Sequence, residues 1–158
     1  MLHSSSCQIP NKGLLRNLSE IASRHLPAFY HRRNLAAEIA NRIRANSLLV
    51  RTGALYHDIG KMTNPVFFTE NQAGVNPHDQ LSDLESAQII ISHVSEGLKM
   101  AEKVGLPGII KDFITTHHGT GITKYFYINY CNAHPTEVID KSQFQYPGPN
   151  PFTRDRPF

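Results

Sequence analysis

Tryptophan is absent from this 158-residue chain, cysteine occurs only twice, and no apolar run is long enough to span a bilayer. The last two shortages each remove a class. Cys7 and Cys131 are far apart and unaccompanied, which excludes a disulfide framework and a cysteine-based zinc site and points to a reducing, cytoplasmic setting. A spanning helix needs about 20 consecutive apolar residues, so no membrane segment is expected within the chain. Residues 1–10 have no apolar core and do not read as a signal peptide. Lys and Arg number 16 against 13 Asp and Glu, a net charge of +3, without a dense basic stripe. That excludes long nucleic acid as a partner and favours a small phosphate-bearing ligand.

What remains is ordinary in bulk and unusual in one respect. A hydrophobic fraction of 40% and a charged fraction of 18% describe a globular chain of one-domain length, but there are nine histidines. Helical periodicity dominates: Leu14, Leu15, Leu18 and Ile21 recur at three- and four-residue spacing, as do Leu35, Ile39 and Ile43. Residues 48–56 read as a mostly buried helix running into His57, followed by a long Asn-, Pro- and Gly-rich loop over 60–80. Ser82 with Glu85 forms a capping-box signature. It opens a helix carrying Ala87, Ile90, Ile91, Val94 and Leu98, which stops at Gly105 with Pro107 just beyond. A further helix is expected over 108–118, ending at Gly119. Residues 125–130 read as helical, although their aromatic run also fits a strand. No pair of strands with hairpin signals and no repeat is visible. The expected fold is therefore an all-α helical bundle over 14–147, with residues 1–13 and the proline-bearing tail 148–158 loose.

The chemistry lies in where the histidines fall. In His57-Asp58-Ile59-Gly60-Lys61 a neutral imidazole beside a carboxylate can hold a divalent metal, and the carboxylate can bridge two. Gly60 lets the backbone turn tightly out of the helix, and Lys61 adds a cation. A His-Asp dipeptide is weak alone; His78-Asp79 is a second one, in a loop, and fits a substrate-contacting role or a structural turn equally. His93 follows Ile89 and Ile90 by one turn, so an apolar helix directs an imidazole inward. His117 and His118 are adjacent at a helix end, where a metal holding both neutral avoids the repulsion of two buried imidazolium rings. Taken singly, each has a bland reading: a water-exposed pair, a hydrogen-bonded core histidine, a solvated helix terminus. In the order His-Asp, His, His-His, each on its own helix, a metal site is the better account.

That order, together with its surroundings, resembles the HD superfamily of phosphohydrolases, and within it the HD domain of the bacterial seven-transmembrane-receptor HD proteins, which are cyclic di-AMP phosphodiesterases. The resemblance is carried by Thr-Gly-Ala-Leu-Tyr-His-Asp-Ile-Gly-Lys-Met from Thr52 to Met62, by Glu70-Asn-Gln72 and Asn76-Pro-His-Asp79, and by Ile89-Ile-Ile-Ser-His-Val94. His117-His-Gly-Thr120, Tyr125-Phe-Tyr127 and Gln145-Tyr-Pro-Gly-Pro149 complete it. It runs from about residue 34 to 154. It implies an HD-domain bundle with two divalent metals, iron or manganese. Asp58 would bridge them, His93, His117 and His118 would complete one site, and His57 would serve the other with an upstream histidine and a downstream aspartate. It assigns Asp58 and Lys61 to catalysis, with Lys61 also meeting substrate, and places the parent family on the cytoplasmic face of the inner membrane. The implied reaction is attack of a metal-activated water on phosphorus, in line with the leaving 3′ oxygen.

The chain departs from that pattern in two places. Where the family has the histidine of a Pro-Gly-Thr-Phe-Gln-His-Ser motif, this chain has Ala28, with His25 and His31 three residues to either side. Residues 23–33 can be encoded so that reading one base later restores the whole motif in register, and a similar slip fits the residues after 154. The expectation is a gene fragment with two slipped frames, truncated before the family's last helices and its downstream aspartate, which resequencing of the source DNA tests. One metal site would be retained, and phosphodiesterase turnover would be weak or absent. The alternatives are an HD phosphohydrolase acting on another nucleotide, a nucleotide-binding module that does not cleave, and a non-functional gene product.

Overall fold

The computed structural model describes residues 26–72 and 74–152, with side chains described from Asn34 onward. The repeat at Leu14, Leu15, Leu18 and Ile21, His25, the His31 side chain and residues 153–158 lie outside the described residues. Among the described residues there are five α-helices and no strand, only an isolated antiparallel bridge between Ile122 and Gln145. The all-α expectation holds, and residues 125–130 are helix.

Helices α1 (Leu26–Arg42) and α2 (Ser47–Tyr56) pair first in the chain. The Leu35, Ile39 and Ile43 repeat marks α1 correctly but not its inner face. Those three side chains are 53%, 49% and 41% exposed, whereas Ala36 and Ala40, one position further round, bury against Val50 of α2. Small residues at the contact let the two helix axes approach closely. Asn46 caps α2, its side-chain oxygen accepting from Leu49 N at 3.0 Å.

At its C-terminal end α2 delivers His57 in helical conformation and Asp58 at φ −105°, ψ 15°, after which the chain enters a 3₁₀ turn, Ile59–Met62. The segment read as a long loop is a string of such turns, continuing with Pro65–Phe67, Thr69–Asn71 and Pro77–Gln80. Prolines opening two of them and Asn side chains explain why the local order is short-range. Helix α3 (Asp83–Lys103) begins with both halves of the expected capping box, Ser82 with Glu85. Helices α4 (Gly108–Thr116) and α5 (Lys124–Ala133) follow, with a last 3₁₀ turn at Lys141–Phe144. Tyr56, Ile59, Ala101, Leu106, Ile110 and Ile114 close one core from α2, α3 and α4. Of the tail expected to be loose, Asn150 is tied down: its Oδ1 accepts from Thr120 N at 3.1 Å, two residues after His118.

Gly60 serves a different purpose from the one expected. Its φ is not among the positive values; a Cβ there would lie 1.8 Å from the His93 carbonyl oxygen and 2.5 Å from Gly97 N. Glycine therefore allows the turn after Asp58 to press onto the backbone of α3, setting the distance between Asp58 and His93. Gly60→Ala is expected to lower stability by about 1–3 kcal/mol, the usual cost of overpacking, and to weaken metal binding with it. Thermal melts with and without manganese check this; an unchanged melting temperature contradicts it.

Tyr56 is 1% exposed, and its hydroxyl has no hydrogen-bond partner among the described residues. A buried unpaired hydroxyl costs about 1–3 kcal/mol. Tyr56→Phe should therefore leave stability unchanged or raise it by up to that amount in urea denaturation, and a loss of stability would reveal a bond for the hydroxyl.

Candidate metal centre

Three helices each bring their histidine inward by the same local device. Nδ1 of His57, His93 and His117 points back to the carbonyl three residues earlier: Ala54 at 3.0 Å, Ile90 at 2.5 Å and Ile114 at 2.9 Å. A carbonyl only accepts, so each Nδ1 carries the hydrogen, and in a neutral ring Nε2 is left with a bare lone pair. His93, 2% exposed on α3, and His117, which caps α4, aim these lone pairs at each other with Nε2 atoms 3.2 Å apart. Asp58 Oδ1 lies 3.5 Å from both, and it is buried without a hydrogen-bond partner among the described residues. His118 completes the group: one donor atom each from Asp58, His93, His117 and His118 lies within 4.8 Å of all the others.

In the neutral rings, electron pairs so gathered repel. A cation resolves the repulsion. Two bonds of about 2.1 Å to one ion place their donors about 3.0 Å apart at a right angle and about 4.2 Å apart when opposed, which brackets the 3.2 Å and 3.5 Å separations here. The residues present therefore fit a divalent metal with nitrogen and oxygen ligands.

The electrostatics agree. Burial lowers the His93 pKa to about 4, helped by the charges of His117 and Lys61. Burial, then His117 and His93, lowers that of His118 to about 3. Both rings are thus neutral near pH 7, the form that ligates. Burial opposes ionisation of Asp58, but His57, His117 and Lys61 outweigh it and hold the carboxyl well below its ordinary range. His57 flanks the cluster, its Nε2 3.2 Å from Asp58 Oδ2 and its ring edge-on to His117 at 5.1 Å. Burial disfavours its charge, yet the neighbouring Asp58 raises its pKa overall.

Lys61 completes the polar network, with Nζ 3.0 Å from Asp58 Oδ2, 2.7 Å from Glu70 Oε1 and 5.1 Å from the centre of the Phe68 ring. Glu70 stands in the motif Glu70-Asn-Gln72, whose local pattern gives no sign of this contact. Tyr146, also part of such a motif, stacks its ring on His118 at 4.0 Å and 13°. A cavity of about 530 Å³ opens beside the cluster, lined by Lys61, Glu70, His93, His118 and Tyr146 together with Phe67, His78, Tyr125 and Phe126. The structure parts the second His-Asp pair. His78 lines the cavity, while Asp79 is exposed, accepts from Asn76 Nδ2 at 2.9 Å and is a turn residue. The aromatic run is divided too: Tyr125 and Phe126 face the cavity, whereas Tyr127 packs against Phe144 at 5.5 Å.

Residues 33–150 match the family model of the HD domain. The chain belongs to the HD domain family. HD domains bind divalent metals, and the Asp58, His93, His117 and His118 cluster is an arrangement able to hold one. Among similar proteins, the cyclic-di-AMP phosphodiesterase PgpH of Listeria monocytogenes is 40% identical over 151 residues, and PgpH of Bacillus subtilis is 38% identical. An uncharacterized protein of Synechocystis is 42% identical over the same length. Each alignment covers 92% of this HD chain, which spans about one fifth of the length of these relatives. The crystal structure of the Listeria PgpH HD domain in complex with cyclic-di-AMP is similar at a TM-score of 0.83 and 40% identity, covering 93% of this chain and 68% of that one. A second crystal structure of that HD domain gives a TM-score of 0.80.

Proposed function

We propose that this HD domain is a metal-dependent phosphodiesterase that hydrolyses cyclic di-AMP to a linear dinucleotide. The observation that carries this reading is the convergence of Asp58, His93, His117 and His118 donor atoms within 4.8 Å, at the wall of a cavity of about 530 Å³. That volume falls within the range of small-molecule sites, roughly 300–1,000 Å³. The names of relatives about 40% identical over nearly the whole chain support the same substrate. On this reading Asp58, His93, His117 and His118 would hold one metal, and Asp58 and His57 would serve a second. The set has no thiolate, which suits iron or manganese. When bound, such ions polarise a phosphoryl oxygen and acidify a water.

The chain's own groups account for the rest. Asp58 stays ionised because His57, His117 and Lys61 surround it. Lys61 keeps its ammonium at the cavity wall, gripped by Asp58 and Glu70, where it offsets charge that develops on phosphoryl oxygens. Tyr125 and Phe126 offer flat apolar faces for a base. No described helix is long and apolar enough to cross a membrane; a cytoplasmic setting follows from the substrate and from the sparse, separated cysteines.

Ala28 favours a second reading. It lies in α1, where the resemblance calls for a histidine, and its methyl group cannot ligate. The metal beside His57 is then poorly held, and the domain binds the nucleotide better than it cleaves it. Incubation of the purified chain with cyclic di-AMP and manganese, with products separated by chromatography, tests both readings. Slow formation of the linear dinucleotide, below about 1 per second, is expected. Binding without product makes the domain a sensor module, and cleavage of a different nucleotide from a panel reassigns the substrate.

A further inference from the structure

The cavity wall also holds a hydrogen-bond acceptor without a partner among the described residues. His78 sits in the turn Pro77–Gln80, fixed at its base by Asn76, whose Oδ1 accepts from the His78 backbone N–H at 3.2 Å and from Gln72 Nε2 at 3.1 Å. The ring's Nε2 lies 2.9 Å from the carbonyl oxygen of Phe67. That oxygen can only accept, so Nε2 carries the hydrogen. In the neutral ring Nδ1 is then a lone pair, and it is buried with no partner among the described residues. Phe67 meets the imidazole edge-on at 5.2 Å, and Phe126 leans over it at 5.1 Å and 49°. All three rings line the cavity of about 530 Å³.

A cyclic dinucleotide offers three kinds of group to such an acceptor. Its phosphates only accept and are excluded. Its ribose hydroxyls can donate, but aromatic walls suit a flat base better than a sugar. The exocyclic amine of adenine is a donor at the rim of a flat ring, whereas guanine and hypoxanthine carry an accepting oxygen at the same position. We infer that His78 is a specificity-determining residue: a purine moves aside the side chains that cover Nδ1, meets the imidazole edge-on in the plane of its ring and gives its 6-amino hydrogen to Nδ1. The inference rests on the cyclic-dinucleotide reading above and adds how adenine is told from other purines. Discrimination arises because a site built to pair a donor leaves its own buried acceptor unpaired when that donor is missing.

The probe pair is cyclic di-AMP and the same ring made from purine riboside, in which hydrogen replaces the 6-amino group. Affinities are read by displacement of a fluorescent cyclic di-AMP from the intact chain in manganese buffer. The wild type should bind cyclic di-AMP about 10-fold more tightly, the worth of roughly one hydrogen bond. His78→Phe should bring the two affinities within about 2-fold. His78→Gln, which keeps a donor for the Phe67 carbonyl and an acceptor for the amine, should retain most of the preference, and it decides the matter if the phenylalanine variant does not fold. Equal binding of both probes by the wild type overturns the role of His78 and leaves the phosphodiesterase reading standing, as does an undiminished preference in His78→Phe. Binding of neither probe overturns both.

Discussion

Asp58→Asn should weaken divalent-metal binding on the order of 100-fold or more while leaving the fold in place. Asp58 supplies the one anionic donor in the cluster of four. Its Oδ1 sits 3.5 Å from the lone-pair nitrogens of both His93 and His117 and is otherwise unpartnered. Loss of a supporting group outside the ligand set commonly costs 10–100-fold, so loss of the shared charged ligand costs at least the upper end. Asparagine matches aspartate in size, so the packing of the Ile59–Met62 turn on α3 is undisturbed. The readout is linkage. A ligand present at 100 times its dissociation constant stabilises the native state by about 2.7 kcal/mol, so manganese should raise the melting temperature of the wild type and not of the variant. If asparagine leaves the metal-induced shift intact, the cluster is not the metal site.

The second large effect runs the other way. Ala28→His should raise bound manganese from one ion per chain towards two and increase cyclic di-AMP hydrolysis by about 10-fold or more. Ala28 lies in α1, and its methyl group offers no lone pair. His57 points towards such a site: its Nδ1 is committed to the Ala54 carbonyl, and its Nε2 faces Asp58 Oδ2 at 3.2 Å, where a second cation would replace the proton that this contact favours. A well-placed metal contributes several kcal/mol to a phosphoryl-transfer barrier, and about 1.4 kcal/mol is already tenfold. Elemental analysis and a product assay on the two chains side by side check this. Unchanged stoichiometry and rate would mean that position 28 is not where the ligand is missing.

How much of this was legible in the sequence depended on distance along the chain. Ser82 and Glu85 announced the start of α3 because a capping box is a contact between residues three apart. His93 announced its inward direction because helical periodicity fixes which residues share a face. The order His57-Asp58, His93, His117-His118 announced the cluster because each set sits at a definite place on a helix. What stayed hidden depends on tertiary approach. Leu35, Ile39 and Ile43 carry the apolar signal of α1, yet Ala36 and Ala40 make its contact, since α2 comes close only over small side chains. Gly60 reads as a turn residue until the His93 carbonyl is seen against it. The clasp of Glu70 on Lys61, the stacking of Tyr146 on His118 and the bond from Thr120 to Asn150 join residues 9, 28 and 30 positions apart, and no local pattern encodes them. The separation of His78 from Asp79 is likewise decided by the turn at Asn76, which sends one side chain to the cavity and the other to solvent.

The most direct test of the metal centre is anomalous diffraction from crystals grown with manganese. A single strong peak bonded to Asp58 Oδ1, to Nε2 of His93 and His117 and to a ring nitrogen of His118, at about 2.0–2.3 Å, is the expected result. A peak elsewhere, or a cluster whose imidazoles pair through protons with no ion between them, would contradict the account.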